Sequence, residues 1–125
     1  MSTPGPIPVA ACNAAGVLVV NQAGSNADAV AEHAVGMMLS LGKKIPQTDR
    51  SLRSERGVPR EKFKGWNARH RTLGLVGIGN VGRRVARICG KGLEMRVIAY
   101  DPYLSAEEVA ARGATKVDFA TLLAE

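Results

Sequence analysis

The apolar positions of this chain change period as it proceeds, and each period predicts a different element. Ala15-Gly-Val-Leu-Val-Val20 is a continuous apolar run rich in β-branched residues, which predicts a short buried strand. A loop over 21–26 follows. Val30, Ala34, Met37, Met38 and Leu41 then recur at helical spacing and predict a helix from about Ala27 to Leu41 with an apolar stripe. Ser25 or Asn26 is its expected N-cap, Asp28 lies in the first turn where an acid is favoured, and Gly42 is the expected stop. Alanine and glycine are dense along this stretch, which permits close helix packing, and Met37 and Met38 suit a core or an interface.

Residues 43–70 carry no clean period and are interrupted by Pro46, Gly57, Pro59 and Gly65. They predict a short helix near Gln47–Glu55 and then an extended arm. Long irregular segments inside a domain are often functional or wrap a partner, and Phe63 and Trp66 are the candidate anchors. Residues 1–9, with Pro4, Pro6 and Pro8, are expected to be loosely attached.

From Thr72 the rhythm becomes strand, helix, strand, helix. Thr72–Val76 is a strand, Val81 to about Cys89 a helix ended by Gly90-Lys-Gly92, and Met95–Tyr100 a second strand. Ser105 with Glu108 three residues later forms a capping box for a helix that ends at Arg112-Gly113. Thr115–Val117 is a third strand, and Asp118 caps a last helix over Phe119–Ala124. The order βαβαβα predicts parallel pairing.

Chemistry concentrates at the first strand-to-helix junction, Gly77-Ile-Gly79-Asn-Val-Gly82. Gly77 permits a tight turn, Gly79 lets backbone approach a pyrophosphate, and Gly82 lets the helix pack close. A helix N-terminus offers free amides and partial positive charge to an anion. Asp101, at the end of the second strand and 19 residues after Gly82, can accept hydrogen bonds from ribose hydroxyls. Glycines alone are weak evidence, whereas strand, fingerprint, helix, strand and acid in order point to a dinucleotide.

Composition narrows the classes. The chain has 125 residues, 46% hydrophobic and 22% charged, which suits one soluble domain. No apolar run is long enough to span a membrane, and no basic region precedes the first apolar stretch, so neither a membrane helix nor a secretory leader is expected. Cys12 and Cys89 fit no zinc spacing and no disulfide framework, in keeping with a reducing cytoplasm. Ten basic residues against three acids lie between Lys43 and Arg71, so that segment supplies the whole net charge of +6. Its cations share no helical face and its only aromatics are Phe63 and Trp66, so nucleic-acid binding is not the expected role. His33 and His70 are the only histidines. Glu32 and His33 are adjacent on a helix and point apart, so they form no ready acid–base pair. No metal site is expected.

Taken together, these residues resemble the D-isomer-specific 2-hydroxyacid dehydrogenases, nearest the phosphoglycerate dehydrogenase type. Gly16–Asn21 is similar to the strand that leads into that family's interdomain helix, and Asn26–His33 to the start of that helix. Ile45-Pro-Gln47 and Lys62-Phe63-x-Gly65 resemble its dimerisation arm, Thr72–Gly82 its fingerprint, and Ala99-Tyr-Asp-Pro102 its ribose-binding strand end. The resemblance implies an α/β fold: a partial Rossmann unit, the first half of a parallel dinucleotide-binding sheet, preceded by a long interdomain helix and an extended arm. It divides the chain into a tail and remnant strand (1–25), helix and arm (26–71), and half of the NAD-binding domain (72–125).

What the family does sets the functional expectation: hydride transfer between a nicotinamide cofactor and C2 of a D-2-hydroxy acid, with a 3-phosphoglycerate-like or glycerate/hydroxypyruvate-like substrate. By resemblance the cofactor residues are Gly77, Gly79, Asn80, Val81, Gly82, Asp101 and Pro102, with the amides of Asn80 and Val81 on pyrophosphate. Asp101, with no basic residue just after it, implies NAD, because a 2′-phosphate would sit against the carboxylate. Asn26 is read first as a helix cap, although its match in formate-specific relatives contacts substrate. A homodimer or larger oligomer through helix and arm is implied. The family's catalytic arginine, glutamate and histidine match positions beyond Glu125, so this chain is expected to be inactive alone. A non-catalytic dinucleotide-binding or dimerisation module is the alternative. The usual Glu-Leu-x-Gly-Lys before the first strand is replaced here by Asn67-Ala-Arg-His-Arg71.

Overall fold

A computed structural model describes residues 7–22 and 24–125. The elements run α1 (Val9–Ala14), α2 (Ala27–Gly42), α3 (Ile45–Ser54), a 3-10 turn (Arg60–Phe63), β1 (Thr72–Val76), α4 (Gly82–Arg87) continued by a π-helical turn (Ile88–Gly92), β2 (Arg96–Tyr100), α5 (Ala106–Ala111), β3 (Thr115–Lys116) and α6 (Phe119–Ala124). The strands form one parallel sheet in the order β1-β2-β3, with Thr72 opposite Arg96 and Val76 opposite Tyr100. This is the expected βαβαβα half-sheet.

The sheet is covered on both faces, as parallel sheets are. Successive strand residues point to opposite faces. Val97 and Ala99 of β2 join the main core with Ala31 and Val35 of α2, Val85 and Ala86 of α4, and Val109 of α5. The other face meets α6. A Cβ at Gly74 would lie 3.3 Å from Leu122, and Phe119 packs on Tyr100 at a ring separation of 5.3 Å. Ile98, in the middle of the central strand, is 1% exposed.

The strand expected over Ala15–Val20 does not form. The six residues before it, rich in alanine, make helix α1, and Gly16 ends that helix at φ +68. Val17 N donates to Cys12 O at 2.9 Å and Gly16 N to Asn13 O at 3.1 Å, the paired bonds of a Schellman stop. The apolar run after the stop has no strand to pair with, and Val17, Leu18 and Val20 are exposed. Of the expected loose tail, Val9 is helical, Ile7 and Pro8 have no regular structure, and residues 1–6 lie outside the described residues.

Helix α2 forms with nearly the expected ends, and only Ala34 and Met38 of its expected apolar stripe pack against the core. Ala27, Ala31 and Val35 are buried, whereas Val30, Met37 and Leu41 are exposed. The small residues take the side that meets α4, which leaves Val30, Met37 and Leu41 outward. Asn26 sits at the N-cap but its side chain makes no capping hydrogen bond, contrary to expectation. The helix ends at Gly42 as expected, but without a left-handed glycine. The left-handed residue is Lys44 (φ 55), and Gly42 stays helical beneath Trp66, whose ring lies 2.5 Å from where a Cβ would be.

Trp66 therefore folds back on this chain. Its amide donates to Gly42 O at 2.9 Å, and the Arg71 guanidinium stacks over its ring at 5.4 Å. The expected partner anchor is an internal clamp from the arm to the end of α2. At the far end of the arm, His70 has φ +63 and its amide donates to the carbonyl of Glu94, itself at φ +52. His70 occupies the place where the resembling motif has glycine. A left-handed non-glycine residue costs about 1–2 kcal/mol. His70→Gly is thus expected to raise stability by about 1 kcal/mol in urea unfolding, and Gly42→Ala to lower it by dislodging Trp66; the reverse ranking would contradict this packing.

Candidate dinucleotide site

The parallel register brings the ends of β1 and β2 side by side. Gly77 N donates to Tyr100 O at 2.7 Å, so the turn after β1 starts next to Asp101. Gly77 leaves the strand at φ +85. A Cβ on Gly82 would come 2.6 Å from Gly77 O, so only glycine lets α4 begin this close beneath the turn. A Cβ on Gly79 would meet nothing within 4 Å, because that position faces open space.

Ile78 holds the turn in place. Its side chain is fully buried, its amide donates to Asp101 Oδ2 at 3.1 Å, and its carbonyl accepts from Arg112 Nη1 at 2.9 Å. The second Asp101 oxygen accepts from the Tyr103 amide at 3.0 Å. Asp101 is buried, and these two amides, Tyr103 first and Ile78 second, hold its carboxyl below the ordinary carboxylate range. A carboxylate has about four lone-pair directions, so acceptor capacity remains for a ligand.

The turn opens on a cleft of about 720 Å³ lined by Gly77, Gly79, Asn80, Val81, Gly82 and Arg112. The amides of Gly79, Asn80, Val81 and Gly82 donate to no backbone carbonyl among the described residues. Free amides at a helix start are the donors an anion needs. Five of the seven cofactor positions expected from sequence therefore line one space. Asp101 stands behind the turn at the strand end, and Pro102 is exposed beside it. Asn26 is exposed at the start of α2.

Two arginines escaped the sequence reading. In sequence Arg112 marks only the end of a helix, whereas its contact with Ile78 spans 34 residues. Arg84 Nε pairs with Asp28 Oδ1 at 2.5 Å, and its Nη1 donates to Asn80 O at 2.8 Å. The Arg84 guanidinium holds the Asp28 carboxyl below its ordinary range. A Cβ on Gly24 would reach Asn80 Nδ2 at 2.7 Å, so the loop before α2 also presses on the turn. Acidic Asp28 was legible as a first-turn residue, but its partner was not.

The remaining candidates stay apart. His33 and His70 are exposed, and neither side chain pairs with a carboxylate among the described residues. Cys89 is buried, which pushes its thiol upward, as suits an inert core residue. No cluster of metal-ligating side chains and no helix long and apolar enough to cross a membrane occurs among the described residues.

Residues 35–125 match the family model described as D-isomer specific 2-hydroxyacid dehydrogenase, NAD binding domain. A D-3-phosphoglycerate dehydrogenase of Archaeoglobus fulgidus is 47% identical over 118 residues, covering 94% of this chain and 22% of that relative. The chain thus spans about a fifth of the curated relatives it matches. The pyruvate reductase of Chlamydomonas reinhardtii superposes with a TM-score of 0.77 at 31% identity, over 95% of this chain and 34% of that one. The D-lactate dehydrogenase of Aquifex aeolicus, solved with NAD and lactic acid, superposes at 0.76 with 28% identity, over 94% of this chain and 34% of that one.

A carboxyl with a lowered folded-state value adds stability above its ordinary value near 4 and loses it as pH falls through the lowered one. Asp101→Asn is accordingly expected to melt below the unsubstituted chain at pH 7, with the gap closing as pH falls below the ordinary carboxylate range. Thermal melts across that range check it, and a gap independent of pH would contradict the charge-based hold.

Proposed function

The chain belongs to the D-isomer-specific 2-hydroxyacid dehydrogenase family and carries its NAD-binding domain, and from that premise we propose that its glycine turn and Asp101 bind NAD. The pyrophosphate lies on the amides of Asn80 and Val81, with Gly77, Gly79 and Gly82 giving it room. Asp101 accepts from the adenosine ribose hydroxyls, and Pro102 flanks that ribose. The observation that carries this reading is the pairing of unpartnered turn amides with a carboxylate fixed beside them by Ile78. The buried, ionised Asp101 repels a 2′-phosphate, which sets NAD above NADP.

The reaction served is hydride transfer between NAD and C2 of a D-2-hydroxy acid. The names of the relatives favour a 3-phosphoglycerate-like substrate over a glycerate- or hydroxypyruvate-like one. These 125 residues bind cofactor without turning substrate over, because neither histidine is paired for proton transfer. Asn26 is left uncapped and exposed, which suits a contact with substrate or with a neighbouring domain. A second reading, a dimerisation module, rests on the outward Met37, Leu41 and Leu52 of α2 and α3. Those side chains suit a homodimer through helix and arm.

Calorimetry with NAD, NADP and an Asp101→Ala variant tests the first reading. NAD is expected to bind more tightly than NADP, and the variant to lose at least about tenfold in NAD affinity, the worth of charge-assisted hydrogen bonds. A folded chain that takes up neither dinucleotide would overturn it. Sedimentation tests the second reading, for which a monomer at micromolar concentration would be the contrary result.

A further inference from the structure

A second recess lies between α4 and the end of α5, outside the turn of the dinucleotide cleft. It measures about 730 Å³, and the small residues Ala86, Gly90, Ala111 and Gly113 are part of its lining. Its walls carry Arg83, Arg84, Arg87, Lys91 and Arg112 against one acid, Asp28. Asp28 is already neutralised by Arg84, and Arg112 is tied to the Ile78 carbonyl. Arg83, Arg87 and Lys91 are exposed and make no ion pair or side-chain hydrogen bond among the described residues.

Those three cations sit in line for a geometric reason. In an α-helix a step of four residues advances about 40° past a full turn, so Arg87 is rotated slightly from Arg83. Residues 88–92 form a π turn, with more residues per turn. The same step of four then falls short of a full turn, which brings Lys91 back toward the line. Three like charges on one face repel one another, and such a stripe is relieved by an anion that bridges it. Guanidinium forks match phosphate oxygens two at a time. No aromatic side chain lines the recess, so it offers no surface on which a nucleobase could stack.

We propose that this groove is an anion site for a small molecule bearing two or more phosphate groups, separate from the dinucleotide cleft. Arg87 and Lys91 line the groove alone, whereas Arg83 and Arg112 line both spaces. Arg87 and Lys91 are therefore the residues that separate the two sites experimentally.

The test is calorimetry of the full 125-residue chain with inorganic tripolyphosphate, at about 20 and about 200 mM salt to gauge screening. Binding is expected at low salt and weaker at high salt. Arg87→Gln with Lys91→Gln should reduce affinity at least about tenfold, since both charge-assisted contacts are lost. Both residues are exposed and unpaired, so the double variant should keep the fold, which circular dichroism checks. Gly79→Ala, whose new methyl meets no protein atom, obstructs the dinucleotide turn and should leave tripolyphosphate affinity unchanged. Full affinity in the double variant would overturn the proposal, as would loss in Gly79→Ala, which places the anion on the glycine turn. An equal loss from Lys62→Gln with Lys64→Gln in the arm would also overturn it, by showing diffuse attraction. None of these outcomes depends on whether NAD itself binds.

Discussion

The carboxylate of Asp101 joins two segments that the chain order keeps apart. It holds the Ile78 amide of the turn after β1 and the Tyr103 amide of the turn after β2. The parallel register between β1 and β2 places it there, and the buried Ile78 side chain keeps the turn from swinging out. With the turn pinned, Gly82 can begin α4 against the Gly77 carbonyl, and the amides of residues 79–82 are left without backbone partners among the described residues. The same group is thus a structural tie and the proposed ribose receptor, since two amides leave part of its acceptor capacity unused.

Around this tie the helices act as buttresses. Arg112 takes the other side of the Ile78 peptide from the end of α5, and Arg84 links the turn to Asp28 at the start of α2. Helix α2 therefore reports on the glycine turn as well as on the sheet. The arm closes the far end of α2 through Trp66, then enters β1 by way of His70 at an unfavourable backbone angle. The chain tolerates that angle because the His70 amide is bonded to Glu94 O and the Arg69 guanidinium is paired with the Glu94 carboxylate at 2.8 Å.

Much of this architecture is legible in the residues because it depends on local rules. The capping box at Ser105, the Asp118 cap and the glycine fingerprint are each decided within a few residues, and each forms as read. What the sequence misplaces depends on distant partners. Ala15–Val20 has the composition of a strand, but composition cannot supply a neighbouring strand, and Gly16 serves a helix instead. The buried face of α2 meets α4, and it takes Ala27 and Ala31 rather than the larger Val30 and Met37. Gly42 reads as a stop, yet it is small because Trp66 arrives from 24 residues further along. Arg112 carries no local mark of its contact with Ile78.

The central claim is that the tied turn presents its amides to a dinucleotide. Amide-resolved NMR of the isotopically labelled chain during an NAD titration tests this most directly. Shifts concentrated at Gly79, Asn80, Val81 and Gly82, with a second group at Asp101 and Pro102's neighbours, are the expected result. A well-dispersed spectrum in which those amides stay still, or in which the shifts fall on the arm alone, would contradict it.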